Sequence, residues 1–197
     1  MNLVERVKRI LLSPRPEWEV IDAESTTPAQ LYTGYIAPLA AIGPIAQLIG
    51  YSVFGISVPF MGTYRVPLGS AITSAIVTYV LALVGTYVLA LIIDALAPSF
   101  NGQRSQIQAL KVAAYSSTAS WVAGIFALIP GLRFLAILGI YSLYLLFLGL
   151  PVLMKSPKEK AMGYTIVVIL AAIVLFMLIG VVSSRFLRVP GAGMTMP

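Results

Sequence analysis

The chain has 197 residues, of which 59% are hydrophobic and 10% charged. A soluble domain carries roughly 25% charged residues, so this composition belongs in a bilayer. The net charge of +6 comes with no cysteine and no histidine. That excludes disulfides, thiol or Ser-His catalysis, Cys/His zinc sites and haem ligation, and no cofactor motif appears. The basic residues gather at span ends, where they meet headgroups and set topology rather than bind nucleic acid.

The first segment, MNLVERVKRILLS, predicts a short basic amphipathic helix in the headgroup plane. Leu3, Val4, Val7, Ile10 and Leu11 share its apolar face, and Asn2 with Glu5 has capping-box spacing. Charges inside its apolar run and the lack of a small-residue cleavage site argue against a signal peptide. Ser13-Pro14-Arg15-Pro16 ends this helix, and Trp18 reads as an interfacial anchor. Five of the seven acidic residues fall between Glu5 and Glu24, which makes this segment nearly neutral.

Thr27-Pro28-Ala29-Gln30 has the pattern of a capped helix start. A first span follows over about 32–54, with Pro38 and Pro44 as kink sites, and then the short loop GISVPFMGTYRVP at the interface. The second span is uncharged from Val66 to Ile93, carries the small-residue stripe Ser70, Ser74, Thr78, and ends at Asp94. A polar connector with an Asn101-Gly102 turn leads to a second capping box at Ser105.

From Lys111 to Lys155 the only intervening charge is Arg133, beside Pro130 and Gly131. Each half offers about 20 apolar residues, enough at ~1.5 Å rise per residue to cross a ~30 Å hydrocarbon core. This predicts a transmembrane helical hairpin whose first half continues the small-residue pattern Ser116, Ser120, Gly124. A third capping box at Ser156 opens a fifth, aliphatic span over about 162–184, closed by Arg185 and Arg188. No internal repeat is visible.

The fold expected is therefore all-α: a polytopic bundle of five transmembrane helices preceded by a short amphipathic interfacial helix. Residues 1–31 form the cytoplasmic interfacial segment, 32–186 the five-helix domain and 187–197 a flexible tail. With the N-terminus inside, nine basic residues fall on inner segments and four (Arg65, Arg133, Arg185, Arg188) on outer ones. That bias orients the N-terminus to the cytoplasm and the C-terminus outside.

Asp94 and Lys111 come to similar depth in this topology. They read either as a pair tying two helix ends or as part of a polar pocket with Tyr115, Ser116, Ser117, Tyr141 and Tyr144. Hydrolytic use of the hydroxyls would need a base, and none is available, so no enzymatic activity is expected.

The stretch AYSSTASWVAGIFALIPGLRFLAILGIYSLYLLFLGLPVLMKSPKEKA resembles the Yip family of five-span membrane proteins, and its bacterial branch in particular. TTPAQLYTGYIAPLAAI, the connector APSFNGQ and the Pro14-to-Trp18 spacing fit the same group. Many members carry proline where this chain has Ala119, so a kink dependent on that proline is not carried across.

The resemblance implies residence in a bacterial inner membrane with a cytosolic N-terminus and five helices. Eukaryotic members bind Rab-type GTPases through a long N-terminal region, and that activity is not transferred. A non-enzymatic scaffold that organises the bilayer or binds other membrane proteins or itself is the favoured expectation. A small-solute or ion permeation protein using the Asp94 and Tyr115 region is the alternative.

Overall fold

The computed structural model describes residues 2–58 and 62–186. Two short helices open the chain, α1 (Leu3–Leu12) and α2 (Pro14–Ala23). Asn2 caps α1 by accepting from the Val4 amide at 3.0 Å, while Glu5 turns to Arg9 instead of completing a capping box. The second helix is not anticipated by the sequence reading. Its two prolines sit in the first turn, where a missing N–H costs nothing, so the Pro14–Pro16 stretch starts a helix as well as ending one.

Among the described residues, four helical runs are long and apolar enough to cross a membrane: α3 (Pro28–Phe54), Leu68–Phe100, Gly131–Leu153 and Lys158–Val182. In α3 the Thr27 hydroxyl accepts from the Gln30 amide at 3.2 Å and the Gln30 side chain accepts from the Thr27 amide at 3.0 Å, so this capping box forms. Pro38 and Pro44 are absorbed by a π-helical turn over Tyr32–Ile36 and a break at Ala41, as expected for interrupted backbone ladders. After α3 the strands β1 (Ile56–Val58) and β2 (Gly62–Tyr64) pair antiparallel, Ile56 opposite Tyr64. This hairpin is the one non-helical ladder among the described residues.

The second run contains α4 (Leu68–Leu96) followed by a 3-10 turn over Ala97–Phe100. Buried Ser74, Gly85, Thr86, Leu89 and Ile93 mark its inner face, and exposed Ile72, Ile76, Val80 and Val84 repeat every four residues on the outer one. That apolar outer stripe suits hydrocarbon. In the connector Asn101 adopts the left-handed conformation, and a Cβ on Gly102 would lie 2.8 Å from the Met154 carbonyl oxygen. The close approach lets Gln103 donate to Met154 at 2.7 Å and pins this turn to the end of a later helix.

Residues 106–128 are broken into α5 (Gln106–Ser116), α6 (Thr118–Ala123) and a 3-10 segment, Gly124–Leu128. The hydroxyls cause the break. Ser116 donates to the Val112 carbonyl at 2.6 Å, Ser117 to Ala113 at 2.7 Å and Thr118 to Tyr115 at 2.7 Å. Such back-bonding bends helices, so the bend arises without a proline at Ala119. Gly124 meets Gly43 of α3 so closely that a Cβ would lie 2.9 Å from the Gly43 Cα, and Ser120 bonds Ser142 at 2.9 Å. Two residues of the expected small-residue pattern, Ser120 and Gly124, thus make helix contacts, while Ser116 bonds its own helix.

Pro130–Ile140 continues as 3-10 helix into α7 (Tyr141–Leu153), and α8 (Lys158–Phe186) closes the described chain. Two further expected capping boxes are not formed. Ser105 makes no side-chain cap, and the Ser156 hydroxyl is buried without a partner among the described residues. The last of the four runs is the least buried, as its aliphatic sequence predicts. The tail at 187–197, including Arg188, lies outside the described residues.

The core gathers at one end of the bundle, where α1 and α2 fold onto the helices. Trp18, expected as an interfacial anchor, is fully buried within the protein. Its indole lies 2.6–2.8 Å from where a Cβ on Gly149 would stand, so only glycine leaves it room. Gly149→Leu should destabilise the protein by about 1–3 kcal/mol through overpacking. Gly180→Ala in α8, where a Cβ meets nothing within 4 Å, should be neutral to stabilising. Unfolding temperatures of the two detergent-solubilised variants test this contrast.

Candidate functional site

Four polar ties hold the α1–α2 pair on the bundle. The Lys111 ammonium donates to the carbonyls of Ile21 at 2.8 Å and Glu24 at 2.5 Å, closing the C-terminal end of α2 where the helix dipole favours a cation. Gln108 donates to the Asp22 carboxylate at 3.1 Å, and Lys155 forms an ion pair with the same side chain. The Tyr141 hydroxyl donates to the Leu11 carbonyl at 3.1 Å, at the end of α1. Partly buried Leu3, Val7 and Leu11 and fully buried Ile10 pack into the apolar contact beneath these ties, whereas Val4, expected on the same face, is exposed.

Within the pair, Arg6 is the central charge. It is 5% exposed, bonds Glu17 at 2.5 Å, bonds Glu24 as well, and lies 5.7 Å from the Tyr115 ring centroid. That distance is within cation–π range. Burial by itself lowers the Arg6 pKa, but the Glu24 hydrogen bond and the surrounding negative charges outweigh it and hold the guanidinium above its ordinary value. A raised folded-state pKa means the contribution is complete below the ordinary arginine value. It is lost only as pH climbs through the higher folded one, so the pairing holds across the neutral range.

A vestibule of about 640 Å³ opens beside this pair, between α1, the α2–α3 junction and α5. Arg6, Glu24, Gln30, Tyr35 and Tyr115 line its wall. At its inner end the Tyr35 and Tyr115 rings meet at 4.5 Å, and the Tyr35 hydroxyl bonds the Thr118 hydroxyl at 2.7 Å. Tyr115 is 7% exposed, and its hydroxyl has no hydrogen-bond partner among the described residues.

The residues singled out from the sequence divide into two places. Tyr115 enters the vestibule wall, and Lys111 holds the hairpin beside it. Ser116 and Ser117 bond their own helix, while Tyr141 ties α1 and meets the Tyr144 ring in a tilted contact at 5.4 Å. Asp94 joins neither group. Its Oδ1 is buried with no partner among the described residues, next to Ile93, whose carbonyl accepts the Tyr164 hydroxyl. No Asp94–Lys111 ion pair forms among the described residues, because α2 supplies the carbonyls that Lys111 uses.

Arg6, Glu17, Glu24, Tyr35 and Gly149 were not singled out from the sequence. The available signal was the concentration of five acidic residues among the bases of a nearly neutral segment, a pattern that internal pairing explains better than lipid binding. Among the described residues no group of three or more acidic side chains is placed to hold a metal ion.

Truncating the central charge strands a buried carboxylate. Arg6→Met should cost roughly 3–5 kcal/mol and speed trypsin cleavage at Arg9 and Arg15. Adding Glu17→Met should restore much of the loss, and a double variant as labile as the single one would contradict the pairing.

A family model, the Yip1 domain, matches residues 8–179. The inner membrane protein YohC of Escherichia coli K12 is 26% identical over 156 residues, covering 77% of this chain and 80% of that protein. YohC from E. coli O6:H1 matches to the same extent. No solved structure matches. The chain belongs to the Yip1 domain family.

Proposed function

We propose that this Yip1-family membrane protein is a non-enzymatic scaffold, which organises the bilayer or binds other membrane proteins or further copies of itself. The observation that carries the reading is how the polar groups of the broken helix are used. Ser116, Ser117, Thr118 and Ser120 all bond other groups of the same chain. A permeation path needs such groups free to replace the solvation of a passing solute. Spent internally, they shape the bundle.

In this reading residues 106–128 form a fifth span, bent by those hydroxyls. The N-terminus is cytoplasmic and the C-terminus outside, in keeping with the excess of basic residues on the inner segments. The α1–α2 pair then sits at the inner surface. Its exposed residues include Lys8, Arg9 and Arg15, with Glu5 and Glu19 between them, together with Val4 and Leu12, of which Leu12 is 80% exposed. This mixed charged and apolar surface suits both the headgroup plane and a protein partner.

The vestibule favours a second reading, permeation of a small solute. Its wall includes Tyr35, which is bonded to Thr118 behind it, and Asp94 is absent from its lining. A path would therefore have to open both that bond and the packing beyond it.

Crosslinking and affinity recovery of the full chain from native membranes separates the two. The scaffold predicts reproducible recovery of particular membrane proteins or self-assemblies. Val4→Glu with Leu12→Glu should reduce that recovery several-fold, and Asp94→Asn should leave it unchanged. A solitary monomer that conducts solute, with flux abolished by Asp94→Asn, would overturn the scaffold.

A further inference from the structure

We propose that the vestibule beside Arg6 is a binding site for an organic ammonium group, with Glu24 and Tyr115 as its recognition residues. The inference goes beyond the scaffold reading, and amine binding is measured separately from partner recovery.

The chemistry of the wall selects the sign of the ligand. Two cations stand nearby, and both are committed. Arg6 is divided between Glu17 and Glu24, and Lys111 is spent on the Ile21 and Glu24 carbonyls. Asp22 is engaged by Gln108 and Lys155. A phosphate or carboxylate entering here would meet no uncommitted cation among the described residues, and it would be repelled by Glu24. A cation finds two acceptors. Glu24 gives one oxygen to Arg6 and keeps the other, on a side chain that is 41% exposed and part of the vestibule wall. Tyr115, more than nine-tenths buried, adds a hydroxyl with no partner among the described residues.

The aromatic wall extends the argument. The Tyr35 and Tyr115 rings meet at an interplanar angle of 53°, and Arg6 already stands over one of them. Carboxylate and tyrosine faces together are the groups that recognise ammonium cations. The volume of about 640 Å³ falls within the range of small-molecule sites and exceeds what a bare metal ion needs. Leu3 and Leu31 give part of the wall an apolar surface, suited to the carbon chain behind an amine.

An ammonium group can arrive on a phospholipid headgroup or on a free amine. Calorimetric titration of the full chain, purified in a neutral detergent, with ethanolamine, choline and putrescine should show saturable binding of at least one. Native mass spectrometry from mixed phosphatidylethanolamine and phosphatidylglycerol nanodiscs reads the lipid source. Retained phosphatidylethanolamine assigns the site to a headgroup, and binding of soluble amines without lipid retention assigns it to a free amine.

Glu24→Gln should weaken binding roughly tenfold or more, the scale of a lost charge-assisted bond. Because Glu24 also pairs with Arg6, Tyr115→Phe supplies the independent arm. It keeps the ring under Arg6 and should weaken binding several-fold with the unfolding temperature unchanged. No amine binding by the folded wild-type chain, binding indifferent to both variants, or tighter binding of inorganic phosphate than of any amine would each overturn the proposal.

Discussion

A guanidinium taken out of water at the mouth of a helical bundle has to be neutralised, and that requirement organises the N-terminal third of this protein. Arg6 meets it with Glu17 and Glu24, one on α2 and one just beyond its end. The three side chains fold α1 against α2 and place both carboxylates under one charge. Buried pairs of this kind gain little over well-packed apolar residues, but breaking one is costly. Their effect is to admit one arrangement of the two helices. Once α2 is so placed, its C-terminal carbonyls meet Lys111 and its indole meets Gly149.

Backbone freedom and hydroxyl chemistry shape the rest of the bundle. Glycine at 43 and 124 brings α3 and the broken helix almost to backbone contact, and Gly102 brings the connector against the end of α7. Close approach by small residues is how helices associate where lipid is as apolar as the side chains themselves. Serine and threonine add bends that proline supplies elsewhere. The outer faces of α4 and α8 are mostly apolar, with Ile76, Val80, Val84, Leu170, Phe176 and Leu178 exposed, and such side chains need nothing more specific than hydrocarbon around them.

The vestibule follows from these two devices together. The bend at Ser117 falls just beyond Tyr115, which contributes its ring and hydroxyl to the wall, while the α1–α2 pair supplies Arg6 and Glu24 from the other side. A polar cavity at the end of an apolar bundle is expensive to keep unless its groups are paired or used. Arg6 and Tyr35 are paired, and Glu24 and Tyr115 each keep an oxygen in reserve.

Sequence by itself determined that the chain crosses a membrane, because long uncharged runs have no other stable setting. It also located the four long apolar runs, through Pro, Gly and charge, and it placed the capping box at Thr27, a local motif whose partners are three residues apart. Features that depend on distant partners were decided only by tertiary structure. Asp94 and Lys111 are both near a span end, and nothing local in the sequence reveals that α2 carbonyls take the lysine. Trp18 has the composition of an interfacial residue and becomes core because Gly149, far along the chain, leaves a notch for it. Spacing along one helix can be read from one helix. Which cation a carboxylate meets depends on loops that bring separate segments together.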